Sequence, residues 1–193
     1  MLVPTYAMLL LCIYIAQLQG GVIPSRWYVT VVTGTFVLTC LIPFSALLLL
    51  WGGDIKKAYM HDKESRRIPY VYGTVSAISW CLFLRFVLGM PRIINMIATG
   101  ATISLLCIFL INYRWKISAH LTMMGVLLGG VLAYCLYMNI FPYMVWTGIL
   151  IASWIVMWAR LYLNEHAETE VTGGYLLGLT VTFLAGIGGV VLF

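Results

Sequence analysis

"ISAHLTMMGVLLGGVLAYCLYMNIFPYMVWTGILIASWIVMWA", residues 117–159, contains no Lys, Arg, Asp or Glu. The run is too long for one membrane crossing, which needs about 20 mostly apolar residues. The helix-breaking stretch "NIFPY" (139–143) divides it into two. Outward from this run, the charges are spaced like punctuation: residues 1–25, 27–53, 93–113 and 171–193 are also free of them, and 69–90 carries only Arg85. The chain has 193 residues, 63% of them apolar and 9% charged, with a mean hydropathy of +1.01. Ordinary globular chains carry about 25% charged residues. A soluble domain is excluded.

The expected architecture is an all-α, polytopic bundle forming a single integral-membrane domain over 1–193, with seven spans at 5–24, 28–50, 69–90, 93–112, 121–138, 142–161 and 172–192. Six spans is the alternative, because Gly20, Gly21 and Pro24 fray the first. That segment lacks a basic leader and a cleavage site and reads as a span, not a signal peptide. The five cysteines (12, 40, 81, 107 and 135) all fall within spans without a CxxC pair, and read as small apolar residues. Net charge +5 suits anionic headgroups; nucleic acid is not an expected partner, since no basic stretch is interleaved with exposed aromatics. Trp27, Trp51, Trp115 and Trp158 near span ends form an aromatic belt. Gly125/Gly129 and Gly174/Gly178 have the spacing of closely packed membrane helices.

Seven spans put the loops at 51–68, 113–120 and 162–171 on one side, with Lys56, Lys57, Lys63, Arg66, Arg67, Arg114, Lys116 and Arg160. Only Arg26, Arg85 and Arg92 reach the other. The positive-inside rule makes the first side cytoplasmic, and the expected location is a bacterial cytoplasmic membrane. A gathering of cations around phosphate gives the same bias.

The same three loops hold the histidines and most of the other titratable groups. "ARLYLNEHAETEVTGGYLLG" (159–178) collects half of the six acidic residues, Glu165, Glu168 and Glu170, beside Arg160 and His166. His166 and Glu170 are spaced i,i+4, so a helical turn brings them onto one face. A carboxylate against one ring nitrogen fixes the tautomer and raises the basicity of the other, as a histidine nucleophile or base needs. His120 closes "KISAH" (116–120), and "DIKKAYMHDKESRRIP" (54–69) supplies cations. Taken singly, the residues have plainer readings: His166 an interfacial histidine, Arg160 a snorkelling cation, Arg66 and Arg67 headgroup anchors. Glu165 and Glu168 read as a solvated loop face, and His61 and Asp62 as exposed.

These motifs resemble the type 2 phosphatidic acid phosphatase superfamily, which shares a helical core with vanadium haloperoxidases. That family's third motif is Ser-Arg, five residues, His, three residues, Asp, commonly followed by Val and two spaced glycines. Here Ala159-Arg160, five residues, His166, three residues and Glu170-Val171 precede Gly174 and Gly178. The second motif, Pro-Ser-Gly-His, matches Ile117-Ser118-Ala119-His120. The first, Lys, six residues, Arg-Pro, departs: Met60 stands at the lysine position and Ile68 separates Arg67 from Pro69. Two expected spans also divide the first motif from the second. The similarity covers about residues 54–180.

The resemblance implies lipid-phosphate hydrolysis through a phosphohistidine: His166 as nucleophile, Glu170 orienting it, and His120 protonating the leaving alkoxide. Arg160, the Ser118 hydroxyl, the Ala119 N–H and the Lys63/Arg66/Arg67 cluster would hold the phosphate oxygens. It implies no cofactor and no metal, and the expected partner is a lipid phosphate in the bilayer. Two alternatives stay open: a weakened relative that binds a phospholipid or transfers its headgroup, and a small transporter or assembly subunit. No span carries an unpaired charge at its centre, where a transport pathway usually has one.

Overall fold

The computed structural model describes residues 25–42, residue 45 and residues 67–191. The expected span 5–24, the end of 28–50 and most of the 54–69 loop, Lys63 and Arg66 included, lie outside the described residues. Each long apolar run forms a helix. We name them α1 (Ser25–Phe36), α2 (Arg67–Leu82), α3 (Arg92–Ile111), α4 (Ala119–Met138), α5 (Tyr143–Tyr162) and α6 (Glu168–Val191). Short π-helical segments continue α1 over Val37–Leu41 and α2 over Phe83–Val87. Five of the described helices, α2 with its extension and α3 to α6, are long and apolar enough to cross a membrane. The chain is all-helical in its described part and fits an integral membrane protein.

The breaks have local causes. Gly89, at φ +56°, turns the chain between α2 and α3, and Pro91 precedes the first residue of α3. Asn139 ends α4 in the left-handed conformation common at helix C-termini, and Pro142, which cannot continue a helix, immediately precedes α5. Hydroxyls inside the helices are satisfied at home: Thr35, Thr74, Ser104, Thr122 and Ser153 each donate to the carbonyl four residues back. In hydrocarbon, where no water competes, such internal bonds are the nearest partners a hydroxyl has.

α4 is the central helix, with 78% of its most apolar 18-residue stretch buried against 11% for that of α5 at the edge. It runs parallel to α6, and glycines set the approach. A Cβ added at Gly125 would lie 2.1 Å from the Tyr175 carbonyl oxygen, and one at Gly129 2.5 Å from that of Leu179. From the other side, a Cβ at Gly178 would lie 2.0 Å from the Thr122 carbonyl oxygen. The two expected glycine pairs therefore face each other across one seam. α3 packs antiparallel to α6, where Gly100 meets Thr182 and Ala185 and the Ser104 and Thr182 hydroxyls lie 3.4 Å apart. The main core joins Leu84, Ile93, Ile97, Val126, Val131 and Tyr134.

Candidate functional site

With α4 and α6 parallel, both begin at one end of the bundle, and α5 returns to that end. The connections there are short. Residues 112–118 join α3 to α4, and 163–167 join α5 to α6, reversing at Asn164 with φ 51°. α6 begins at Glu168, earlier than the span edge expected at 172, so Glu168, exposed as expected, lies in its first turn with Glu170 and not in a loop. Acidic residues there are favoured by the helix dipole.

Two hydrogen bonds to backbone carbonyls tie the connections together. The Lys116 ammonium donates to the Glu165 carbonyl at 2.8 Å, and the Ser118 N–H donates to the Glu170 carbonyl at 3.2 Å. The Trp115 ring closes against Gly173, where a Cβ would stand 2.6 Å from it. Trp115 is thus a packing element as well as a member of the expected belt. Beneath lies a small apolar cluster of Tyr70, Ile108, Ile117, Ala119 and Met123. Tyr70 brings the start of α2 to the same end; Arg67 opens that helix one turn earlier.

On this frame two histidine pairs form. The Arg160 guanidinium donates through Nη2 to His120 Nε2 at 2.7 Å. Arginine has no acceptor, so Nε2 carries the lone pair and the ring proton sits on Nδ1. The His166 Nδ1–H donates to Glu170 Oε2 at 2.9 Å, with side-chain exposures of 4% and 16%. At such burial solvent screens the pair weakly. This bond makes Nε2 the acceptor nitrogen of His166. Glu170 Oε2 also accepts the Ala167 N–H at 3.2 Å, so one carboxylate both orients the imidazole and caps α6.

Ser118 and Ala119 start α4, 0% and 5% exposed. Serine at that position ordinarily caps the helix, yet the Ser118 hydroxyl makes no capping bond and is buried without a partner. Leaving a buried hydroxyl unsatisfied costs about 1–3 kcal/mol.

The described residues thus bring Arg160 to His120, His166 to Glu170, and the segment 116–118 to the Glu165 and Glu170 carbonyls. Lys116, absent from the sequence-derived set, belongs with them; its position four residues before His120 in a nearly charge-free stretch was the available signal. Among the described residues, no group of three or more His, Cys, Asp or Glu side chains is placed to hold a metal ion. No protein family, curated protein or solved structure matches the chain.

Proposed function

We propose that the chain is a membrane-embedded lipid-phosphate phosphatase working through a phosphohistidine, with the third-motif resemblance and one observation as its main support. That observation is that the His166–Glu170 and Arg160–His120 pairs form at the same end of the bundle, where the Ser118 N–H meets the Glu170 carbonyl and the Ser118 hydroxyl is buried without a partner. In this reading, residues 5–24 and 28–50 add further crossings to give seven, around a haloperoxidase-like core.

Phosphoryl transfer asks chiefly for positioning and for cations against the equatorial oxygens. A phosphate entering between Arg160 and His120 draws the guanidinium onto its oxygens, where a planar two-pronged donor serves well. His120 Nε2 is then released from accepting, and the arriving negative charge favours its protonation. His166 Nε2 attacks phosphorus in line while His120 gives its proton to the leaving alkoxide. Glu170 stabilises the resulting imidazolium. Water then cleaves the phosphohistidine, with His120 now taking the proton. In this reading the Ser118 hydroxyl and the first N–H groups of α4, which lack intrahelical partners, accompany Arg160 on the oxygens. Lys63, Arg66 and Arg67 are proposed to complete the cradle. The apolar helices hold the substrate's hydrocarbon.

The test is phosphate release by the purified protein from a panel of lipid monophosphates and diphosphates. Release that disappears in His166→Ala supports the reading. A folded protein that releases phosphate from none of them overturns it, and binding of those lipids without release would assign the chain to headgroup binding.

A further inference from the structure

At the opposite end of the bundle, where α2 turns into α3, lies a groove of about 620 Å³. Pockets that hold small molecules are typically about 300–1,000 Å³. Its walls include Leu82, Met96 and Thr99, while Arg85, Arg92 and Asn95 supply its polar groups, and no carboxylate lines it. The local chain is built to present them. The π-helical segment Phe83–Val87 inserts a residue into the helical register, a device found often at functional sites. Leu84 is fully buried in the core, whereas Arg85 is exposed beside Phe86, its guanidinium 5.4 Å from the ring centre. The connector then folds back, with the Met90 N–H donating to the Leu84 carbonyl at 3.0 Å. Arg92 is the first residue of α3, so its charge adds to the positive end of a 20-residue helix dipole. Asn95 donates through Nδ2 to the Met90 carbonyl at 2.7 Å, and its Oδ1 is buried without a partner, an open acceptor within the same turn.

An apolar wall ending in two guanidiniums, a helix N-terminus and one acceptor matches an amphiphile. We infer that this groove binds an anionic glycerophospholipid with a hydroxylated headgroup: phosphodiester against Arg85 and Arg92, headgroup hydroxyl on Asn95 Oδ1, acyl chain along Leu82 and Met96. Basic pockets between membrane helices bind headgroups in this manner. A soluble anion has no use for the apolar wall. The site is independent of the proposed phosphatase reaction, lies at the other membrane surface and holds its lipid without transforming it.

Native mass spectrometry of the purified protein, with phosphatidylglycerol and phosphatidylcholine offered in competition, tests this. One basic residue at a membrane surface is worth about a fivefold preference, so two give roughly twenty- to thirtyfold. We expect the unmutated protein to retain phosphatidylglycerol by that margin and Arg85→Gln/Arg92→Gln to lose it at unchanged helical content. Thr99→Trp, which fills the groove and leaves both arginines, should also lose it. Equal retention of the two lipids, or retention unaffected by the double substitution, overturns the site. Retention that survives Thr99→Trp reduces the arginines to headgroup anchors. Displacement of the lipid by inorganic phosphate at matched concentration makes it a soluble-anion site and equally overturns the proposal.

Discussion

Glu170 serves two donors with one oxygen, the His166 ring N–H and the Ala167 backbone N–H. The two duties separate by substitution. Glu170→Gln keeps an acceptor for both donors but removes the charge that stabilises an imidazolium. We expect helical content and thermal stability close to those of the unmutated protein and a large fall in turnover. Glu170→Ala removes the cap as well and should lower stability by about 0.5–2 kcal/mol, the usual worth of a helix N-terminal cap. Circular dichroism melts alongside phosphate release distinguish the two. His120→Ala should behave differently from His166→Ala. A general acid is worth about 10²–10⁴-fold for a poor leaving group, and little of that is lost on a nitrophenyl phosphate, whose leaving group needs no proton. His166→Ala should abolish turnover on both substrates; equal losses on both in His120→Ala would remove it from the acid's role. Lys116→Met tests a positioning residue. Freed of its bond to the Glu165 carbonyl, the 163–167 connection should loosen, lowering kcat with KM nearly unchanged and speeding amide exchange at 165–167.

Among the elements, the α4–α6 seam is the most demanding. At Gly178 the obstacle is the Thr122 backbone carbonyl, which no rotamer change moves aside. Overpacking a core typically costs about 1–3 kcal/mol; Gly178→Val should exceed that range, because the helices must part along their length. Gly148, with nothing near its absent Cβ, should accept alanine without loss. Detergent-solubilised melting temperatures of the two variants should therefore diverge sharply. This seam was half legible in the sequence. The four-residue glycine spacing showed that two surfaces were made for close approach, and for α2 with its extension and for α3 to α6 the helix ends lie within four residues of the expected span ends. The pairing of those surfaces with each other was not legible, since tertiary partners leave no period along a chain. The His166–Glu170 bond was readable because its spacing is local. The Arg160–His120 bond, spanning forty positions, follows only from α5 returning antiparallel beside α4. The π-helical segments had no signature at all: "FLRFV" reads as ordinary helix.

For the whole molecule, the alternation of spans sets two ends apart. Arg114, Lys116 and Arg160 accompany the histidines at one, Arg85 and Arg92 mark the other. Single cysteines introduced at Tyr113 and Phe141, 51% and 52% exposed, should therefore react with a membrane-impermeant reagent from opposite sides. Following the positive-inside bias, we propose that position 113 is cytoplasmic, in which case only the cysteine at 141 is labelled in intact cells. Labelling at 113 alone reverses the orientation and turns the proposed phosphate site outward; labelling of both contradicts the span count between them.

The meshed glycines of α4 and α6 also have a mechanical consequence. Where backbone carbonyls occupy the places of missing side chains, sliding by less than a helical turn is blocked. Stretching or thinning of the surrounding bilayer cannot change the spacing of the two helix starts by small degrees. The edge helix α5, with 11% of its most apolar 18-residue stretch buried, is the compliant part, and it carries Arg160. A change in bilayer thickness should therefore be felt as a tilt of the arginine against His120, while Glu170 rides on the stiff helix beside it and holds His166, on the connection, through its Nδ1–H bond.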